Sequence, residues 1–553
     1  MKRTDGSRQT ASALNVQTTS TASIWTASTK LFSLADTTIP DINRAFKAKA
    51  LTSEQLVQLY LNRINAYDQQ GPTINSLISV NPNALKIARA RDLNRPEHPA
   101  SPLYGIPIIL KDNFDTVDLP TTSGSDVLVG ALPPDDAFTV KRFREAGAII
   151  LGKANMSEFS LSSGRLGYSS LGGLTRNPHD LTRDASGSSS GSAAAIAANF
   201  ATLATGTDSA GSIRGPASFT GLVGIKPTLG LTSRDGIAPL ALTVDVCGPI
   251  AKTVTDAAIG LSAMAGVDSN DCAMLESERT SFDDYTQFLD ADAFQGAKIA
   301  IARDFVGDHP EVDQIVGQAL ATMFNLGATI VEVNLSTGIL DATTYGPLLH
   351  LIVQAEFFPQ IEAYLQTLPN RYPKTLQELI EASLNPALVN SETPVNPHRI
   401  EVYQDALEQG GVSNPNYLAA LAQLPNLRKH IVSMFAADNL DAIIYPTVGS
   451  LPTLLTDANN NKVEDPTFFC ESGAVEINPY RASYLANLTG FPDITVPAGF
   501  TRSGLPVGLS FFATAYSEPR LVGLAYAFEQ AIKLSRSPSS TPPLPGELFR
   551  FET

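Results

Sequence analysis

The run Gly105-Ile-Pro-Ile-Ile-Leu-Lys111 constrains this chain more than any other stretch. Pro107–Leu110 is uniformly apolar, too short for a helix, and gives way abruptly to Lys111-Asp112. A short apolar run bounded in this way predicts a strand buried on both faces. Thr139–Ala146 follows with helical character, and Ala148–Leu151 is a second apolar run. Strand, helix, strand in that order is the unit of an α/β sheet.

Other elements are legible on the same grounds. Thr52-Ser53-Glu54-Gln55 opens a helix that runs through Tyr67, with Leu56, Val57, Tyr60, Leu61 and Ile64 at helical spacing. Lys298–Ala302 and Ala328–Val333 are predicted strands inside a block, 265–440, that is otherwise helical. Residues 152–192 are rich in Gly, Ser and Asn without periodicity, and a loop of that length in a compact domain is commonly functional. There is no internal repeat. Residues 1–30 are polar and of low complexity and are expected to be flexible. Residues 31–535 are expected to form one domain, and 536–553 a Ser/Pro-rich extended tail.

Composition narrows the function classes. The formal net charge of −16 makes a phosphate backbone a poor direct ligand. The three cysteines, Cys247, Cys272 and Cys470, are too few and too far apart for a disulfide framework or a close-spaced zinc site, and are expected to be reduced and largely in the core. Lys2 and Arg3 are followed by no apolar run, and the small-residue stretch near Ala193–Ala204 is too short to span a bilayer. The expectation is a cytoplasmic protein with no membrane contact.

Three segments carry chemistry. In the first, Lys111 sits directly after the buried strand, where burial favours the neutral amine, which is a base. Alone, this lysine could simply pair with Asp112 or Asp115. In the second, Gly187-Ser188-Ser189-Ser190-Gly191-Ser192 leads into Ala193–Ala198, so several hydroxyls and free N–H groups gather at a helix start. Alone, this is also a flexible loop. In the third, Gly206-Thr207-Asp208-Ser209-Ala210-Gly211-Ser212-Ile213-Arg214, Ser212 follows small residues whose N–H groups suit an oxyanion hole, and Asp208 and Arg214 can hold the turn by a charged hydrogen bond.

Taken together, the three segments resemble the amidase signature family. The resemblance continues through Gly221–Thr228, Gly248–Ala251, Asp441–Thr447, Asn487–Pro492 and Gly504–Gly508. It implies a single large α/β domain whose mixed, twisted central sheet is flanked by helices on both faces. It also implies amide hydrolysis without a cofactor or metal. The implied nucleophile is Ser212, the bridging serine, commonly preceded by a cis peptide, is Ser188, and the base is Lys111. Backbone N–H groups around Ser209, Ala210, Gly211 and Ser212 would form the oxyanion hole. Ser189 would support the relay and Ser160 would line the acyl side. Ser190 and Ala210 stand where many members carry glycine. Gly187–Ser192, Thr232–Ile237 and Ala515–Pro519 look like the bacterial peptide amidase branch, which implies a small or peptide amide as substrate.

Three rivals are weaker. Gly187–Gly191 fits the Gly-x-Ser-x-Gly nucleophile elbow, but Asn177–Asp184 before it reads as loop rather than the required apolar strand. The amidase component of a glutamine-dependent tRNA amidotransferase would share fold and relay. A catalytically dead scaffold would have lost Lys111, Ser188 or Ser212, and all three are present.

Overall fold

The computed structural model describes residues 29–161, 165–274, 280–335, 345–456, 462, 478–534 and 536–552. Thirteen strands organise it. They are β1 (Thr29–Ser33), β2 (Leu77–Val80), β3 (Pro107–Lys111), β4 (Ile149–Ala154), β5 (Leu203–Asp208), β6 (Val223–Lys226) and β7 (Val246–Ala251). Then follow β8 (Lys298–Ala302), β9 (Thr329–Val333), β10 (Ala442–Pro446), β11 (Asp493–Phe500), β12 (Pro506–Phe512) and β13 (Leu548–Glu552). β2 to β12 form one eleven-stranded sheet in the order β9-β8-β10-β12-β11-β6-β7-β5-β3-β4-β2.

The sheet is mixed. β3 runs parallel to both β4 and β5, and β8 parallel to β9 and β10. The strands between them, β12, β11, β6 and β7, pair antiparallel. Every residue of β3, β4, β5, β6, β7 and β12 is buried. Successive side chains on a strand point to opposite faces, so both faces of this sheet are covered. The helices Ser190–Ala197, Arg214–Thr220, Val254–Met264 and Glu518–Ile532 pack against it, and the buried apolar residues form a continuous core.

The sequence elements fall where local chemistry puts them. The helix Ser53–Tyr67 starts on a Thr52 capping box closed by Gln55. The glycine- and serine-rich stretch 152–192 is not one open loop. Its start completes β4, its end begins the Ser190–Ala197 helix, and short two-stranded pairs lie between. Cys247 is buried on β7, whereas Cys272 is exposed, correcting the expectation of core cysteines. Cys272 follows Asp271 in a surface turn. Cys470 lies outside the described residues, as does most of the polar segment 1–30. Among the described residues no helix is long and apolar enough to cross a membrane.

The segment after Ser535 returns to the body of the protein. β13 pairs antiparallel with β1, Thr29 opposite Glu552 and Ser33 opposite Leu548. Arg63, 1% exposed, binds Glu547 at 2.9 Å and also donates to the carbonyls of Ala198 and Thr541. One buried guanidinium thus ties the Ser53–Tyr67 helix, the end of the Ser190–Ala197 helix and the C-terminal segment together. Glu547→Ala would leave that guanidinium without its carboxylate. Removing one partner of a buried ion pair costs about 3 kcal/mol or more. The expected outcome is a clearly lowered urea midpoint by circular dichroism, and an unchanged midpoint would show that the C-terminal segment carries no weight.

Candidate active site

Parallel pairing of β3 with β5, Ile108 opposite Leu203 and Ile109 opposite Ala204, makes the C-terminal ends of the two strands neighbours. Lys111 ends β3, and Thr205 and Thr207 share one face of β5 because side chains alternate. The Lys111 N–H donates to Thr205 Oγ1 at 3.0 Å, and Lys111 Nζ lies 2.7 Å from Thr207 Oγ1. Nζ is also 2.7 Å from Ser188 Oγ. Lys111 and Ser188 are both fully buried, and the Gly187–Ser188 peptide is cis. Burial brings the lysine down to about 7, against the opposing pull of the Asp208 and Asp245 charges. Its hydrogen-bond partners at Nζ are two neutral hydroxyls. Asp112, which could have paired with it, lies instead 3.5 Å from the buried Lys153 and accepts from the Thr122 and Gly124 N–H groups. Asp115 accepts from the Tyr364 hydroxyl.

The turn carrying Ser212 is shaped by one carboxylate. Asp208 accepts from the N–H groups of Gly211 at 2.7 Å and Ile213 at 3.0 Å, and from the Arg214 guanidinium at 3.0 Å. Burial alone would raise the Asp208 carboxyl, but Arg214 and these donors hold it well below the usual range. Arg214 continues to Asp493 at 2.6 Å and to Asn487 at 2.7 Å. This network corrects one expectation. The Gly211 N–H is turned inward to Asp208 and is not an oxyanion donor. Gly211 is required for shape: its φ is +103°, and a Cβ there would meet Ser483 Oγ at 2.5 Å. The N–H groups of Ser209, Ala210 and Ser212 have no acceptor among the described residues and remain as candidate donors.

Ser212 is nearly buried, and its hydroxyl makes no hydrogen bond to the described residues. Its carbonyl accepts from the Ser189 N–H at 3.2 Å, which joins the two serine turns. The Ser189 hydroxyl bridges the Thr207 N–H and C=O at 3.3 Å each, so it braces β5 rather than facing Ser188. Ser209 Oγ donates to Asp245, whose carboxyl burial raises to about 6 against the pull of that hydroxyl. Ser160 follows Phe159 in a left-handed turn, φ +60° and +51°, and lines a small cavity with Asn113, Thr207 and Ser209.

Sequence reasoning missed Thr207, Asn113, Asp245 and Asn487. Thr207 could have been found from strand alternation, since it shares a face with Thr205 beside the lysine. Asp245 and Asn487 come from distant segments, and nothing local marks them.

The Amidase family model matches residues 55–522. A probable amidase of Arabidopsis thaliana is 35% identical over 92% of this chain and 92% of its own length. The A-type chain of the glutamyl-tRNA(Gln) amidotransferase of Alkaliphilus metalliredigens is 34% identical over 90% of this chain and 97% of its own. Among solved structures, native peptide amidase from Stenotrophomonas maltophilia superposes with a TM-score of 0.80 at 34% identity, covering 92% of this chain and 99% of that one.

Arg214 neutralises two buried carboxylates at once. Arg214→Met keeps the volume but strands Asp208 and Asp493. The expected loss is about 3–5 kcal/mol of stability, read as a fall in the urea midpoint. Stability equal to wild type would show that the network does not hold this turn.

Proposed function

This chain belongs to the amidase signature family and is an amide hydrolase, and on that premise we propose that it cleaves small carboxamides, peptide C-terminal amides included, through a Ser212 acyl-enzyme with release of ammonia. One observation carries the mechanism: a buried lysine amine 2.7 Å from the Ser188 hydroxyl. Lys111 in its neutral form takes the Ser188 proton, and Ser188 takes the Ser212 proton. Ser212 Oγ then attacks the carbonyl carbon, and the oxyanion accepts from the N–H groups left open on Ser209, Ala210 and Ser212. As the C–N bond breaks, the relayed proton passes through Ser188 to the departing nitrogen. Water repeats the path, frees the acid and restores Ser212. The missing Ser188–Ser212 hydrogen bond is formed when substrate enters, as catalytic contacts commonly tighten only in the complex.

The peptide-amide reading rests on the sequence features Gly187–Ser192 and Ala515–Pro519 and on the likeness to the Stenotrophomonas enzyme. The likeness to the A-type chains of tRNA amidotransferases supports a second reading, in which the same relay works beside partner chains. Ammonia release separates the two. The isolated chain is offered a peptide amide, the same peptide as free acid, and glutamine, with Ser212→Ala as control. The expected result is ammonia from the peptide amide alone and at least a roughly thousandfold loss in the variant. Cleavage inside the peptide, or ammonia only in the presence of co-purifying partners, would overturn the peptide-amide reading. Retention of more than a few per cent of activity in Ser212→Ala would remove Ser212 from the role.

The pH profile follows from Lys111. Its folded pKa is lowered to about 7, and only the neutral amine accepts a proton. Acidification charges it and stops the relay. Below about pH 7, kcat/KM should therefore fall by about tenfold per pH unit. A rate that stays flat from about pH 5 to 8 would exclude Lys111 as the base.

A further inference from the structure

A base that takes up a proton in the interior becomes a buried cation, and a buried cation is costly without an opposite charge nearby. Most interior carboxylates close to Lys111 already answer another cation. Asp208 and Asp493 share Arg214, and Asp112 lies 3.5 Å from Lys153. Asp115 accepts from Tyr364 and faces the charge of Lys153. Asp245 is different. It is buried, and its hydrogen-bond partners are all neutral: the Ser209 hydroxyl and the N–H groups of Leu240 at 2.8 Å and Ala241 at 2.9 Å. The guanidinium of Arg234 is bound to Asp271 at 2.8 Å. A buried carboxylate held only by neutral donors invites the question of which charge it serves.

Its place in the fold answers that. β7 pairs with β5 with Val246 opposite Asp208, which sets Asp245 beside Ser209. Asp245, Thr207 and Ser209 border one small cavity, and Thr207 Oγ1 is 2.7 Å from Lys111 Nζ. A single threonine thus links the amine to the space that Asp245 borders. Burial raises the Asp245 carboxyl only to about 6 and lowers Lys111 to about 7, and the charges that oppose the fall of the lysine are those of Asp208 and Asp245. Asp208 is already neutralised by Arg214. We infer that the Asp245 carboxylate is the counter-charge of the Lys111 ammonium, stabilising it as the relay forms it. The inference rests on the Lys111 mechanism proposed above and adds the group that compensates its base.

When Ser188 gives up its proton, its O–H bond breaks and an N–H bond forms on Lys111. The transition state therefore carries an ammonium that the resting neutral amine lacks. Asp245 favours the first over the second, as the aspartate of a Ser-His-Asp triad favours the imidazolium. It acts through Lys111 and touches no substrate. The benefit depends on pH. Above the lysine pKa the resting amine is neutral, and the carboxylate lowers the barrier. Well below it the amine is charged already, resting and transition states gain alike, and the rate gains nothing. Removing the carboxylate also lowers the lysine pKa, which moves the acid limb to lower pH. The other charged groups around the two residues keep their partners. Asp208 and Asp493 stay with Arg214, Arg234 with Asp271 and Lys153 with Asp112, and Lys226 donates to the Pro227 and Phe491 carbonyls.

Asp245→Asn removes the charge and keeps the contacts. With Oδ1 turned to the Leu240 and Ala241 N–H groups, its amide donates to the Ser209 hydroxyl, which also accepts. No cation is stranded, because Arg234 retains Asp271. The experiment measures kcat/KM for a primary amide from about pH 5 to 9, where the acid limb reports the base of the free enzyme. Rates are expressed per active site labelled to completion by a serine-directed fluorophosphonate, so partial misfolding cancels. In Asp245→Asn the plateau is expected to fall about tenfold and the limb to move about one unit to lower pH, so that the two profiles converge at the acid end. Asp245→Glu keeps the charge, and its limb stays where it is in wild type; this variant carries the test should Asp245→Asn fail to label. A loss by the same factor at every pH in Asp245→Asn, the mark of a merely structural role, overturns the inference. So does a limb displaced to lower pH in Asp245→Glu. Wild type without an acid limb would instead overturn the Lys111 mechanism itself.

Discussion

A lysine amine without a carboxylate partner at hydrogen-bonding distance is the constraint around which this site is built. The Lys111 amine is buried and, among the described residues, meets only the hydroxyls of Ser188 and Thr207. Burial of a cation in such surroundings favours its neutral form, and the nearby negative charges of Asp208 and Asp245 limit how far that goes. The carboxylates that could have kept it charged are engaged elsewhere. Asp112 accepts from Thr122 and Gly124 beside Lys153, and Asp208 is neutralised by Arg214. The Lys111 amine is thus left without a carboxylate at hydrogen-bonding distance where three segments converge.

The convergence is a product of sheet topology. β3 and β5 are adjacent and parallel, so a lysine at the end of one meets threonines on the other. The Ser/Gly loop reaches the same place through the Ser190–Ala197 helix, which packs against this part of the sheet. Asp208 then draws the turn carrying Ser212 into a tight ring of N–H groups and spares those of Ser209, Ala210 and Ser212. A single carboxylate decides which backbone donors face inward and which remain available.

The α/β class, the strands near 107, 149 and 298 and the helix from Ser53 were legible because each is written in a local pattern of apolar spacing or capping. The three chemistry-bearing segments were legible because each gathers unusual residue types within a few positions. What escaped was either distant or competitive. Asn487 and Asp245 reach the site from other parts of the chain, and no spacing rule links them to Ser212. Gly211 was read as a donor because small residues before a serine suit an oxyanion hole, but the Asp208 carboxylate claims that N–H first. The chain's end gave no sign of its role either. Pro and Ser dominate 536–546, and only Leu548–Phe551 hints at a strand, whose partner lies near the opposite end of the chain.

That terminal pair has a mechanical consequence. In β1 and β13, Thr29 and Glu552 face each other at one end of the ladder, so a pull applied at those two residues parts the strands at right angles to their length. The ladder hydrogen bonds of an antiparallel pair lie along that direction and are loaded in succession, not together. The closure therefore opens like a zip at low force.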